Sequence, residues 1–155
     1  GGEIVSQDGH SRENPTEAGW VLKMVDSILK GREISSNEIG IITPYNGQVR
    51  AINDLLEPSQ EMEKDGNWNN IEVRSVDGFQ GREKEIIIFS AVRSNPEGNV
   101  GFLDDSRRLN VALTRAKRGL IVIGDPKTLR NQRDWDFWLT WAEERNLIAW
   151  HLLQM

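Results

Sequence analysis

Apolar runs that alternate with amphipathic segments constrain the fold of this chain more than any other feature. Four runs predict strands of one sheet: IGIITPY (39–45), IEVRSV (71–76), EIIIFSAVR (85–93) and GLIVIG (119–124). Segments with helical spacing lie between or before them: 14–32, 46–58 and 106–117. This order predicts an α/β domain with a mainly parallel sheet that helices cover on both faces. A further short strand is predicted for GEIVS (2–6) at the start.

Local signals refine three of the segments. Asn14 followed by Pro15, with Glu17 three residues after Asn14, predicts the start of the first helix. The polar stretch 59–70 predicts a loop. Residues 127–155 form a Trp-rich helical end, in which packing of Trp135, Trp138 and Trp141 onto the sheet is favoured over a base-stacking platform.

Composition excludes several classes of protein. The 155 residues include no cysteine and two distant histidines, so neither a disulfide, a thiolate nucleophile nor a metal site is expected. No run approaches the ~18 apolar residues of a membrane span. The cytoplasm or the nucleus is the expected compartment.

Positive charge is concentrated in one part of an acidic chain. The formal net charge is −5, yet residues 107–133 hold eight Lys or Arg and a single acid, Asp125. This asymmetry predicts a local surface that attracts anions. The alternative, a solvated helix face balanced by nearby carboxylates, stays equally open on charge alone.

Polar loops follow the predicted strands at their carboxyl ends. These are TPYNGQ (43–48), SVDGFQGRE (75–83), RSN (93–95) and GDP (124–126). Because the carboxyl ends of parallel strands share one edge of the sheet, a ligand there could contact several loops together. An ordinary set of strand connections is the alternative interpretation.

The segment SRRLNVALTRAKRG (106–119) combines a stripe of small apolar residues with arginine. The predicted helix 106–117 places Leu109, Ala112, Leu113 and Ala116 on its buried face. Helical spacing then puts Arg108 and Arg115 about 20° apart on one flank of the stripe. They could bind a phosphate group through the planar guanidinium fork, or cover the core edge and pair with a local carboxylate.

Two motifs of nucleotide hydrolysis are missing from the sequence. No GxxxxGK[ST] phosphate-binding loop occurs, and no Asp-Glu pair follows an apolar strand to hold Mg²⁺. The chain is therefore not expected to hydrolyse a nucleotide by itself.

Three long segments in order resemble the second RecA-like domain of superfamily 1 helicases: TPYNGQV, SVDGFQGREKEIIIFSAVRSN and GFLDDSRRLNVALTRAKRGLIVIGDP. The branch they resemble contains the nonsense-mediated-decay helicase, the immunoglobulin mu-binding protein 2 helicases and senataxin. NPTEA (14–18) also fits its pattern. The resemblance implies a three-layer RecA-like motor domain over residues 1–155, the second of two. No match to the family's Tyr-Arg segment occurs before Asn14, so we expect a segment of a larger protein.

The resemblance also implies a role for individual residues. Those of motifs IV and V that contact or support the nucleic-acid strand are Thr43, Tyr45, Ser75, Val76 and Asp77. Those that face the nucleotide are Gln80, Gly81, Glu83, Arg108 and Arg115. Among them Arg115 is the implied arginine finger, and Arg108 supports the cleft or couples it to nucleic acid.

The resemblance implies that the chain is the second of the two motor domains of a helicase. ATP would bind between the two RecA-like domains, with Mg²⁺ held by the first, and closure would move a single RNA or DNA strand 5′ to 3′. We expect a monomer that contacts the first domain of the same polypeptide and no membrane. Two alternatives stay open: a nucleic-acid-binding module that does not use ATP, and a protein-interaction domain that uses the Trp-rich end.

Overall fold

The computed structural model of the chain describes residues 2–62, 68 and 70–149. Within these residues the strands are β1 (Ile4–Val5), β2 (Arg12–Glu13), β3 (Ile39–Thr43), β4 (Glu72–Ser75), β5 (Lys84–Ser90) and β6 (Ala116–Ile123). The α-helices are α1 (Pro15–Lys30), α2 (Asn46–Met62), α3 (Ser106–Leu113), α4 (Pro126–Leu129) and α5 (Arg133–Glu144). Strands and helices alternate along most of the chain, as the sequence predicts.

The main sheet has four parallel strands in the order β4-β3-β5-β6. All five residues of β3 are buried, which explains why its sequence is an uninterrupted apolar run. The predicted α/β class with a parallel sheet is thereby confirmed. β1 and β2 form a separate antiparallel pair, of which the sequence predicts only β1, because the two residues Arg12–Glu13 carry no apolar pattern.

Two hydrophobic clusters cover the two faces of the sheet. Successive residues of β5 alternate between them, since Ile87 and Phe89 belong to one cluster and Ile88 to the other. The first cluster includes residues of α3 and α5, and the second includes residues of α1 and α2. Helices therefore lie on both faces, as expected for a three-layer α/β domain.

The first helix begins where its capping residues predict. The Asn14 side chain accepts a hydrogen bond of 3.1 Å from the backbone N–H of Glu17, and Pro15 occupies the first helical position. Gly31 follows the last helical residue, Lys30, and donates its N–H to the carbonyls of the last turn. Asn14 is also 1% exposed, so this cap lies in the protein interior.

The predicted helix 106–117 is too long. α3 ends at Leu113, and Ala116 is the first residue of β6, paired with Lys84. The Thr114 hydroxyl donates to the Asn110 carbonyl over 2.8 Å at the end of the helix. Pairing with β5 thus overrides the helical spacing of the sequence, and Arg108 and Arg115 do not share a helical flank.

The predicted loop 59–70 is wrong at its start, because α2 continues to Met62. Pro58 lies inside this helix and is exposed. A proline fits helical φ and removes one backbone hydrogen bond, so a helix can pass through it at an exposed position. Residues 63–67 and 69 of the predicted loop lie outside the described residues.

The Trp-rich end packs largely onto the sheet, as the sequence favours. Trp135 is 4% exposed and belongs to the first hydrophobic cluster, and its indole N–H donates to the Leu103 carbonyl over 3.1 Å. Trp138 packs edge-on against Trp135, with ring centroids 5.9 Å apart. Trp141 differs, since it is 41% exposed beneath the Arg145 guanidinium. Trp150 lies outside the described residues.

Removal of the Phe89 ring tests the core between the sheet and α5. Phe89 is fully buried, with its ring centroid 6.1 Å from that of Trp135. We expect Phe89→Ala to lower the free energy of unfolding by about 3–5 kcal/mol, measured by urea denaturation. The matched control is Phe137→Ala on α5, where the ring is 76% exposed and the loss should be under about 0.5 kcal/mol. Equal losses in the two variants would contradict this packing.

Candidate functional site

The polar loops begin together at the carboxyl edge of the sheet. Thr43 at the end of β3 pairs in register with Ser75 at the end of β4, and Ser90 at the end of β5 pairs with Ile123 of β6. Ile42 pairs with Phe89, which brings β3 and β5 to the same level. The predicted convergence of the loop starts at one edge is therefore confirmed.

Gln80, Gly81 and Glu83 lie in the connection between β4 and β5, which returns the chain from the carboxyl edge of the sheet to the amino edge. This connection crosses the sheet from the end of β4 to the start of β5. At the start of β5, the Lys84 N–H donates to the Arg115 carbonyl over 3.2 Å. Glu83 and Arg115 are therefore neighbours at the amino edge. The residues predicted to face the nucleotide and those predicted to contact nucleic acid thus occupy two regions, joined by residues 75–83.

Asp77 and Arg108 link the two predicted sets of residues. The Arg108 guanidinium makes two hydrogen bonds to the Asp77 carboxylate: Nε to Oδ1 at 3.0 Å, and Nη2 to Oδ2. Asp77 lies in the short 3-10 turn Asp77–Phe79 and Arg108 lies in the first turn of α3. Both side chains are about half exposed or more, so the pair joins the two segments but contributes little to stability.

Arg115 differs from the other arginines of the basic segment. Its side chain is half-buried, and its buried Nε has no hydrogen-bond partner among the residues that the structure describes. No ion pair between described residues involves it either. A buried donor without a partner is costly, so this guanidinium is suited to an anionic group from outside the described chain.

The surroundings of Arg115 leave room for such a group. Gln80, Gly81 and Glu83 are exposed. Gly81 has φ +77°, a conformation that favours glycine, and a Cβ at this position would meet no atom within 4 Å. An exposed loop that ends next to the Arg115 backbone is compatible with one side of a polyphosphate site. The residues present are therefore compatible with the nucleotide that the resemblance implies.

Four residues predicted to contact or support nucleic acid are largely enclosed. Thr43, Tyr45 and Val76 are buried, and Ser75 is half-buried with its Oγ accepting from the Gly78 N–H over 3.2 Å. The Thr43 hydroxyl is buried without a partner among the described residues. Contact of these side chains with a strand stays a prediction.

A buried polar network next to the carboxyl edge was missed from the sequence. The Glu17 carboxylate accepts hydrogen bonds from the Ser90 hydroxyl at 2.8 Å and the Val92 N–H at 2.9 Å. Gln48 joins it by donating to Ser90 Oγ at 3.0 Å and accepting from the Asn14 N–H at 2.8 Å. Burial raises the pKa of Glu17 to about 7, with the Asp125 charge acting in the same direction. In the sequence, NPTEA predicts only the cap of the first helix. It does not indicate that the Glu17 carboxylate is buried in a polar network.

A second buried contact anchors the loop after β5. Glu3 pairs with Arg93 at 3.1 Å, and both side chains are less than 10% exposed. Burial acts to raise the pKa of Glu3, but hydrogen bonds from the Ser94 N–H, Asn95 and Arg93 hold it below its usual value. Arg93 in turn donates to the Tyr45 hydroxyl over 3.1 Å. Neither residue has a sequence pattern that predicts this pair.

The fold is an α/β domain consistent with the RecA-like class, and comparison with known proteins identifies the family. A family model described as "AAA domain" matches residues 2–127. Together with close relatives that are helicases, this match shows that the chain belongs to the superfamily 1 helicases.

The relatives are regulators of nonsense transcripts and helicases. The "Regulator of nonsense transcripts 1 homolog" of Arabidopsis thaliana and that of Drosophila melanogaster are each 45% identical over 149 residues, which is 96% of this chain and 12% of the relative. The "ATP-dependent helicase upf1" of Schizosaccharomyces pombe is 43% identical over 96% of this chain and 16% of its own length. The chain thus spans about an eighth of the length of the first two.

No described helix combines the length and the apolar character needed to cross a lipid bilayer.

The raised pKa of Glu17 predicts a pH dependence of stability. Between pH 4.5 and about 7 the unfolded state loses the Glu17 proton while the folded state keeps it, so stability falls as the pH rises. The loss from this group amounts to about 3 kcal/mol across that range. We expect Glu17→Gln to remove this part of the slope in urea denaturation at a series of pH values. Glu33→Gln, at an exposed position, is the control and should keep it. An unchanged slope in Glu17→Gln would refute the assignment.

Proposed function

We propose that this chain is the second motor domain of an ATP-dependent 5′-to-3′ helicase acting on RNA or DNA, with Arg115 as its arginine finger. The observation that carries the proposal is the half-buried Arg115 guanidinium, whose Nε has no partner among the described residues. Membership of the superfamily 1 helicases and the helicase names of the relatives support it.

Arg115 acts by electrostatics. Bound ATP supplies the phosphoryl group whose transfer to water drives the motor. The guanidinium donates hydrogen bonds to the oxygens of the transferred phosphoryl group, where negative charge develops in the transition state. The partial burial of Arg115 strengthens that interaction. Because its backbone carbonyl is fixed by the Lys84 N–H, the side chain extends from a rigid junction between α3 and β6. Gln80, Gly81 and Glu83 line the same side of the nucleotide.

The segment from Ser75 to Glu83 couples the nucleotide to the nucleic acid. It begins beside the predicted strand contacts at the carboxyl edge and ends next to Arg115 at the amino edge. The Asp77–Arg108 pair fixes its middle to α3, the helix that leads to Arg115. When the cleft closes, a movement of Arg115 is therefore passed along this segment to Ser75, Val76 and Asp77, which support the nucleic-acid strand.

The complementary parts of the site come from the first RecA-like domain of the same polypeptide. That domain supplies the phosphate-binding loop, the acid that holds Mg²⁺ and the catalytic glutamate, none of which has a motif in this sequence. The domain alone is therefore inactive as an ATPase and binds single strands weakly. The protein works as a monomer in the cytoplasm or the nucleus.

Loss of the Arg115 guanidinium tests the proposal in the full-length protein. We expect Arg115→Ala to lower the rate of ATP hydrolysis by about 10³-fold or more, because the finger stabilises the transition state. Binding of a single-stranded oligonucleotide should change by less than about threefold, since Arg115 lies away from the strand contacts. Steady-state ATPase assays and equilibrium oligonucleotide binding measure the two quantities.

Arg118→Ala is the matched control. Arg118 lies three residues further on, is 63% exposed and pairs with Glu85 at 2.7 Å, so its loss should leave ATP hydrolysis near the wild-type rate. Near-normal hydrolysis in Arg115→Ala, or an equal loss in both variants, would contradict the role of Arg115 as the finger.

A further inference from the structure

A pocket of about 290 Å³ lies beside the carboxyl edge of the sheet, away from Arg115. One wall is the turn and strand of the β1–β2 pair, including His10 and Arg12, and the other includes Tyr45, Arg93 and Phe102. Among the residues that line it, Tyr45 alone has a role predicted so far. Its rim contains an aromatic ring and positive charge, a combination that suits a flat anionic ligand.

Phe102 supplies the exposed aromatic surface of the pocket. Its ring is 60% exposed, yet it stacks on the buried Tyr45 ring with a centroid distance of 5.1 Å and an interplanar angle of 29°. Tyr45 is held by hydrogen bonds of its hydroxyl group to Arg93 Nη1 at 3.1 Å and to the Phe102 N–H at 3.2 Å. The exposed ring is therefore fixed from below rather than free to turn away.

The backbone next to Phe102 is built for this close approach. Gly101 has φ +53°, and a Cβ at this position would clash with both Arg93 Nη1 and the Tyr45 hydroxyl. Glycine is thus required by conformation and by space. The short 3-10 turn Gly101–Asp104 then presents Phe102 outward while Leu103 is buried in the core. The Phe102 ring is therefore presented as a fixed apolar surface at the rim of the pocket.

Charge favours an anionic occupant. Arg12 and Arg93 both line the pocket, and they share one carboxylate, Glu3, at 3.1 Å each. Two guanidinium groups against one carboxylate leave a net positive charge. Arg12 is 39% exposed along its side chain, so it can reach a phosphate at the rim.

We infer that this pocket holds an unstacked base of the single-stranded nucleic acid, with Phe102 stacking on the base and Arg12 contacting an adjacent phosphate. The inference rests on the proposed function, which brings a strand to the carboxyl edge where Thr43 and Tyr45 lie. A free nucleotide also has a base ring and a charged phosphate, so it is the alternative occupant of this pocket. A continuous strand is favoured because the pocket lies at the edge of the sheet that carries the predicted strand contacts.

Binding of a fluorescently labelled single-stranded oligonucleotide to this chain at low salt and high protein concentration tests the inference. We expect Phe102→Ala to weaken binding roughly tenfold, as for the loss of one base–aromatic stack. Phe102→Leu, which keeps apolar volume but lacks the flat ring, should weaken it similarly, and Phe102→Trp should restore it. Phe137→Ala removes a ring of the same type that is 76% exposed on α5 and should have no effect.

An oligonucleotide series with a single abasic site at successive positions identifies the base. One abasic position should weaken binding to the wild-type chain about as much as Phe102→Ala does, and it should cause no further loss in that variant. A nucleoside monophosphate should compete poorly. Competition as strong as that of the strand would overturn the assignment to a strand and indicate a free nucleotide.

The remaining outcomes overturn the inference without deciding the proposed function. Equal oligonucleotide binding by wild type and Phe102→Ala would show that the ring makes no stack, and an abasic series in which no position weakens binding would show that the pocket holds no base. The assignment of Arg115 is tested separately by ATP hydrolysis in the full-length protein, so the two proposals can fail independently.

Discussion

The hydrogen bond from the Lys84 N–H to the Arg115 carbonyl, 3.2 Å long, fixes the arrangement on which the candidate nucleotide site depends. This hydrogen bond lies at the start of the parallel pairing of β5 with β6. The pairing begins soon after α3 ends at Leu113. Were α3 to continue to Lys117, Arg115 would project from a helix surface. The sheet instead places the Arg115 backbone at the amino edge, next to the end of the loop that follows the Asp77 turn.

The arginines of the basic segment that stands out in the sequence differ in their surroundings. Arg108, Arg118 and Arg130 pair with local carboxylates, as a solvated charged surface would. Arg107, by contrast, is exposed and needs no protein partner. Arg115 fits neither description, because its Nε is buried and unpaired among the described residues. Charge density alone therefore does not distinguish Arg115 from its neighbours, whereas burial without a partner does.

Most of the fold could be predicted from the sequence because the strands are apolar runs and Asn14 with Pro15 marks the start of α1. The errors occur where tertiary contacts override local pattern: pairing with β5 shortens α3, and α2 passes through Pro58. The role of Arg115 comes from the resemblance and stays a prediction, and the helical geometry that connects Arg115 with Arg108 is wrong. Glu17 and the Glu3–Arg93 pair could not be found, since a buried polar contact between distant segments leaves no periodic signal.

Buried polar contacts give the carboxyl edge its rigidity. Glu17 holds the backbone of Val92, which has the rare φ of +72° for a β-branched residue, and Glu3 holds Arg93 next to it. Arg93 then positions the Tyr45 hydroxyl on which Phe102 rests. The chain of contacts thus runs from the interior carboxylates to one exposed ring. A surface fixed in this way can hold a flexible strand with little loss of its own conformational freedom, whereas an unsupported ring could not.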